Sequence, residues 1–174
     1  ATRLMFTKAK KSKVKLVRLA CHFEEFNRAA KVGKILQKLG YFVTINLMQI
    51  SEQSEEKIIS IAKMAKKNSP NVLYFADSLG GMSSNQISNI VETFRRHWHG
   101  ALGIHTHNNL NNAVANSLSA LDLGVTWLDS TVTGMGRGPG NAQTEYLLIE
   151  LQNTKKNKLD ISPLLKLIKK YFEP

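Results

Sequence analysis

The sequence predicts an α/β fold in which a parallel sheet is covered by helices. Five apolar, strand-like segments recur at intervals of about 25–30 residues, each followed by a stretch with helical spacing. That is the period of βαβ units, which place consecutive strands in parallel. The strand segments are nearly continuous in apolar residues, as expected of strands covered on both faces. Polar residues gather just beyond their carboxyl ends: His22, Gln49, Asp77 and Ser78, His105 and His107, Thr131 and Thr133. Five such units can form a doubly wound open sheet or five-eighths of a (β/α)8 barrel, and both bind ligands at that end of the strands. Periodicity alone leaves the two open.

The first strand is expected over Val14–Ala20, which is rich in valine and leucine. Residues 23–39 then repeat apolar positions at helical spacing (Phe23, Phe26, Ala30, Gly33, Leu36, Leu39), and Gly40 sits where a helix end favours a left-handed residue. Phe42–Met48 reads as the second strand. Glu55–Lys67 follows as a helix with Ile58, Ile61, Ala62 and Ala65 on one face and acids in its first turn, where the helix dipole favours them. Val72–Ala76 is a third strand, leading into Asp77-Ser-Leu-Gly-Gly81. Ser83 and Gln86 have capping-box spacing and should open a helix that runs to about Trp98.

Ala101–His107 is the fourth strand. A helical face through Leu110, Ala113, Val114, Ser117, Leu118 and Leu121 follows it, closed by Gly124. Val125–Val132 is the expected fifth strand, followed by a glycine loop and a helix over Asn141–Leu151. An amphipathic helix over Pro163–Phe172 ends the sequence. No linker or low-complexity tract interrupts it, so residues 1–174 read as a single domain.

With 43% apolar residues the 174-residue chain can bury a sizeable core. It has no apolar run long enough to span a membrane and no secretory leader pattern. Its single cysteine, Cys21, precludes an internal disulfide framework, and a reducing, cytoplasmic setting is expected. Cys21 reads as a buried strand-end residue rather than a nucleophile. The formal charge is +11, but it is terminal: residues 1–20 contribute +7, residues 150–174 contribute +3, and the body between them only +1. A phosphate-tracking surface would concentrate Lys and Arg on the folded body with aromatics interleaved. Neither a nucleic-acid nor a membrane partner is expected.

Two motifs carry chemistry. His105 and His107 are two apart on a strand, so both imidazoles point to one face, where they suit a divalent metal; such pairs also occur as plain surface or hydrogen-bonded histidines. Gly134, Gly136, Gly138 and Gly140 alternate with Met, Arg and Pro after a strand, letting the backbone approach a ligand closely. The spacing fits neither a dinucleotide fingerprint nor a P-loop. Asn141 is either the N-cap of the next helix or a residue whose side-chain oxygen faces a metal. Asp77 reads first as an acceptor for loop amides and second as a substrate contact. His97 and His99 fall around a helix end, on the solvent side.

Together, His105-Thr-His-Asn-Asn-Leu110, Ala113-Val-Ala-Asn-Ser117 and Gly134-Met-Gly-Arg-Gly-Pro-Gly-Asn-Ala142 resemble the HMG-CoA lyase-like family of metal-dependent (β/α)8 enzymes. Within it, Ala76-Asp-Ser78 and Gly80-Gly-Met-Ser83 resemble the 4-hydroxy-2-oxovalerate aldolases. The resemblance is collinear over roughly 14–174 and implies an incomplete TIM-type barrel covering about strands four to eight. It implies a divalent metal held by His105, His107 and Asn141, manganese first, with magnesium, cobalt or zinc as alternatives. Ser78 and His105 are implied substrate contacts. The implied reaction cleaves a 4-hydroxy-2-oxo acid to pyruvate and an aldehyde through a metal-stabilised enolate.

The departures matter equally. The family's first strand carries an Arg-Asp pair, whose Asp is a metal ligand and whose Arg holds the enolate, with a base histidine nearby. None has a counterpart here, so base and arginine are expected upstream of residue 1, and a substrate-contacting tyrosine and a small partner-docking domain beyond Pro174. The lyase branch's loop cysteine is also absent, which argues against an acyl-CoA lyase. Two further readings stand beside the aldolase: a Claisen-type acyl transferase resembling isopropylmalate synthase, and a non-catalytic barrel fragment. Five strands of a barrel leave two unpaired edges, which further chain or another subunit should cover, and a homo-oligomer is expected.

Overall fold

The computed structural model describes residues 5–155 and 159–173. Five strands, β1 (Leu16–Cys21), β2 (Phe42–Leu47), β3 (Val72–Asp77), β4 (Ala101–Thr106) and β5 (Trp127–Leu128), form one sheet. Helices α1 (Phe26–Lys38), α2 (Glu55–Asn68), α3 (Ser84–Arg95) and α4 (Ala113–Asp122) alternate with them, and α5 (Thr144–Lys155) and α6 (Ser162–Tyr171) follow. Every neighbouring strand pair is parallel, and the spatial order is β1-β2-β3-β4-β5. A doubly wound sheet reverses its strand order at a switch point. This one never does, so it winds as a sector of a barrel.

The two faces of the sheet differ in chemistry. On the outer face Ile45, Leu47, Leu73, Phe75, Leu102 and Ile104 share one buried cluster with apolar residues of α1, α2 and α3. Phe75 stacks on Phe94 with ring centroids 5.8 Å apart. Burying each such side chain contributes about 1.5–3 kcal/mol, which makes this layer the principal source of stability.

On the inner face Arg18 of β1 lies over the Tyr74 ring of β3, 4.0 Å from its centroid, and forks onto Asp129 just past β5. Barrel interiors are filled by layers drawn from alternate strands, and β1, β3 and β5 supply this one. Burial and then the Asp129 charge push the Tyr74 phenol up to about 12, with Arg18 opposing. Gly103 of β4 makes room for the ring, because a Cβ there would lie 2.4 Å from Tyr74 Cε1.

Several boundaries differ from expectation. β1 starts two residues late, leaving Val14 exposed. α3 stops at Arg95, short of Trp98, whose indole N–H donates to Ala101 O. α4 starts at Ala113 rather than near Leu110, which is exposed, because Asn111 takes a positive φ and the Asn108 side chain accepts the Ala113 amide. Only Trp127–Leu128 of the expected fifth strand joins the ladder; beyond Asp129 the chain turns, and Thr131 bridges to Gln143 instead of continuing along β4. Among the described residues no helix is long and apolar enough to cross a membrane.

The inner layer makes a stability prediction. Gly103→Ala forces the buried Tyr74 ring, and Arg18 on it, out of place, an overpacking worth about 1–3 kcal/mol. Urea unfolding should show a lower midpoint with an unchanged slope; an unchanged midpoint would mean that the ring moves aside at no cost.

Candidate metal centre

β4 carries His105 on its inner face and delivers His107 to the same face one residue past its end. The two rings meet edge to face, centroids 5.1 Å apart. Burial, followed by the neighbouring His105 and Arg137, pushes the His107 imidazole below its usual range, which favours the neutral form that donates a lone pair.

Asn141 joins them through the backbone, forming an isolated antiparallel bridge with His107. It is not a helix cap, because α5 starts at Thr144. Its side chain is buried: Nδ2 donates to Met135 O at 3.2 Å, while Oδ1 has no hydrogen-bond partner among the described residues. An orphaned buried amide oxygen costs about 1–3 kcal/mol unless something accepts it. Two imidazoles and one oriented amide oxygen form a donor set suited to a divalent cation. Among the described residues no three of His, Cys, Asp and Glu come together as a metal cluster, so the set holds no carboxylate ligand.

The glycine loop is the wall around Asn141. Gly140 has φ +85, and a Cβ there would lie 2.1 Å from Gly134 O, the atom that accepts the Asn141 amide. A Cβ at Gly136 would lie 2.4 Å from Asn141 Nδ2. The alternating glycines therefore let the loop fold flat against the asparagine.

Of the other residues singled out in the sequence, some lie around this end and some do not. Asp77 is buried and spends its carboxylate on the amides of Gly80, Gly81 and Met82 at 2.9, 3.3 and 3.1 Å, which is the loop-satisfying role. Ser78 follows it, two residues past Ala76, which pairs with His105; its Oγ accepts the Gln49 amide at 2.9 Å. Asn116 and Ser117 are scaffold: Asn116 Nδ2 donates to Met82 O at 2.8 Å, and Ser117 Oγ bonds Ala113 O and Thr106 Oγ1. His22 is exposed at the end of β1. His97 and His99 precede β4 and lie at the opposite end of the sheet.

Asp129 was not among the predicted site residues. Its Oδ2 lies 2.9 Å from His105 Nδ1, and both its oxygens take Arg18. Burial raises its carboxyl, but the hydrogen bonds from His105 and Arg18 outweigh it, holding the group below its ordinary range. The sequence signal was available: Trp127, Asp129 and Thr131 alternate with Leu128, Ser130 and Val132, a period-two pattern that sends Asp129 inward.

Residues 5–169 match the HMGL-like family. The chain belongs to this family. It is 36% identical over 147 residues to the 4-hydroxy-2-oxovalerate aldolase of Bacillus thuringiensis (strain Al Hakam), covering 84% of this chain and 43% of the relative. It is 31% identical over 167 residues to that of Geobacillus thermodenitrificans (strain NG80-2), covering 95% and 49%. The chain thus spans less than half the length of these HMGL-like relatives. Among solved structures it resembles the N-terminal domain of a candidate aldolase from Bacteroides vulgatus (29% identity, TM-score 0.81, 91% of this chain and 55% of that one). The HMG-CoA lyase of Bacillus subtilis shares its fold (19% identity, TM-score 0.84, 95% and 65%).

Cys21 lies buried at the end of β1. Burial and then the Glu25 charge push its thiol up to about 11, which disfavours the reactive thiolate. Iodoacetamide at pH 8 should leave the Cys21 peptide unmodified in native protein and alkylate it fully after denaturation, as read by mass spectrometry. Rapid native alkylation would reverse this assignment.

Proposed function

We propose that the protein is a divalent-metal-dependent aldolase that cleaves a 4-hydroxy-2-oxo acid to pyruvate and an aldehyde. The observation that carries this reading is the donor set: His105 and His107 edge to face, with Asn141, whose side-chain Oδ1 is orphaned, bridged to His107 by the backbone. Relatives named 4-hydroxy-2-oxovalerate aldolase support the substrate class. The bound cation, manganese first, supplies Lewis acidity toward the 2-oxo acid.

The chain's own residues then have distinct tasks. His105, His107 and Asn141 hold the cation, and the glycine loop keeps the Asn141 amide turned. Ser78 accepts the Gln49 amide, which leaves its own hydroxyl proton free to be donated to a substrate oxygen. His105, on the neighbouring strand, is the second substrate contact. The relatives extend well beyond the matched region, and the proposal assigns the carboxylate ligand, the substrate-binding arginine and the base to that remainder.

The test is pyruvate release from 4-hydroxy-2-oxovalerate by the full-length protein with Mn²⁺, coupled to NADH oxidation. Activity should vanish with chelator and return with metal, and His107→Ala should lower kcat/KM by about 100-fold or more. Turnover that survives chelation, or acetyl-CoA-dependent thiol release in its place, would overturn the reading. Gly136→Ala tests Asn141 separately. Pushing on its amide without needing an unusual φ, it should weaken Mn²⁺ binding by about tenfold, the low end for a disturbed outer contact, and leave the melting temperature nearly unchanged.

A further inference from the structure

The inner face holds an ionised pair, Arg18 and Asp129, that the proposed reaction does not use. Asp129 lies just past β5, its side chain 19% exposed, between Arg18 from β1 and His105 from β4. Arg18 Nη2 donates to Oδ1 at 3.0 Å while Nη1 donates to Oδ2, so the guanidinium grips both oxygens. The Arg18 fork is itself seated on the Tyr74 ring. His105 Nδ1 approaches Oδ2 at 2.9 Å.

We propose that Asp129, clamped by Arg18, is a positioning residue that fixes His105 as its Nδ1–H tautomer and so presents Nε2 to the metal. The inference rests on the metal reading of the site given above. Its chemistry is that of donors and acceptors. A carboxylate forked by a guanidinium is ionised and can only accept, so the proton in the His105 contact sits on Nδ1. A neutral imidazole carries one N–H, which leaves the Nε2 lone pair bare. Histidine ligands commonly use this carboxylate contact to set tautomer and ring angle. Arg18 matters because a lone carboxylate could rotate about its Cβ–Cγ bond and drop the histidine. The fork, held by Tyr74 in the space that Gly103 leaves, removes that freedom.

A merely structural role for Asp129, tying β1 to the edge beyond β5, makes different predictions. In Asp129→Asn the shape is kept but only one acceptor oxygen remains. Arg18 claims it, the NH₂ turns to His105 Nδ1, and the imidazole must move its proton to Nε2; the corresponding Asp→Asn change in a serine-protease triad acts in this way.

The experiment uses full-length protein labelled with ¹⁵N-histidine. In the metal-free wild type, long-range ¹H–¹⁵N spectra should show His105 with a pyrrole-type Nδ1 and a pyridine-type Nε2. Asp129→Asn should invert that pattern and weaken Mn²⁺ binding by about 10–100-fold in calorimetric titration. Arg18→Gln, which keeps the acceptor but frees it to rotate, should retain Nδ1–H and lose less affinity than Asp129→Asn. A wild-type His105 protonated on Nε2 overturns the proposal without any variant, should Asp129→Asn fail to fold. So does an Asp129→Asn protein that binds Mn²⁺ as the wild type does. Failure of the wild type to bind Mn²⁺ overturns the metal reading instead, and the two failures are therefore distinct.

Discussion

The carboxylate of Asp129 takes nitrogen donors from two directions, Arg18 across the concave face and His105 beside it, and that meeting ties β1 to the chain just past β5. β1 and β5 stand four strands apart in a sheet that does not close on itself, yet a side chain of one reaches the end of the other. Phe42 of β2 and Trp127 of β5 stack at 5.6 Å nearer the opposite end, so contact across the face is not confined to the charged layer. An ion pair of this kind contributes little net stability, because desolvating both groups offsets their attraction. It does penalise any arrangement in which one partner is buried alone. That makes it a device for selecting one curvature, while the outer apolar layer supplies the stability.

The polar end is rigid for a second reason: each loop is pinned to the next. His107 N donates to Asp77 O, Leu110 N to Gly80 O, Asn108 N to Gly140 O, and Ala142 N to Thr106 O. The loop after β3 thus rests on the residues after β4, and these rest on the glycine loop. Asp77 holds the first of these loops from inside by taking three of its amides. Sites on loops are usually less precise than sites on strands. Here the metal-binding candidates are a strand residue, the residue just past that strand's end and a residue bridged to the latter, so loop freedom is largely removed.

Much of this was legible in the sequence because the signals were local. The five βα units follow from apolar period alone. The capping box of α3 appears as read, with Gln86 Oε1 accepting the Ser83 amide at 2.8 Å. His105 and His107 share a face because strand geometry requires it. What failed depended on distant chain. The fifth strand was read too long because its β-branched residues continue through Thr131 and Val132, past the point where the backbone leaves the ladder for Gln143. Asn141 was open to a capping reading because an asparagine before a helical pattern resembles a cap, and the start of α5 at Thr144 shows otherwise. Asp129 was missed because its partners are 111 and 24 residues away, a pairing that no local pattern encodes.

Below the histidines the inner face stays polar. Thr44 Oγ1 and Asn46 Oδ1 of β2 are buried without a hydrogen-bond partner among the described residues, as is Thr131 Oγ1 beyond β5. Barrel interiors are normally packed with branched apolar residues, which cost nothing to bury. A polar interior is tolerable only if its groups find partners, since each orphan costs about 1–3 kcal/mol. Arg18, Asp129, Tyr74 and His105 contact one another on the concave face, while Thr44 and Asn46, in register with Arg18 and Tyr74 on the intervening strand, each keep an unpaired oxygen. The concave face is thus divided between a clamp that is internally satisfied and acceptors that are not.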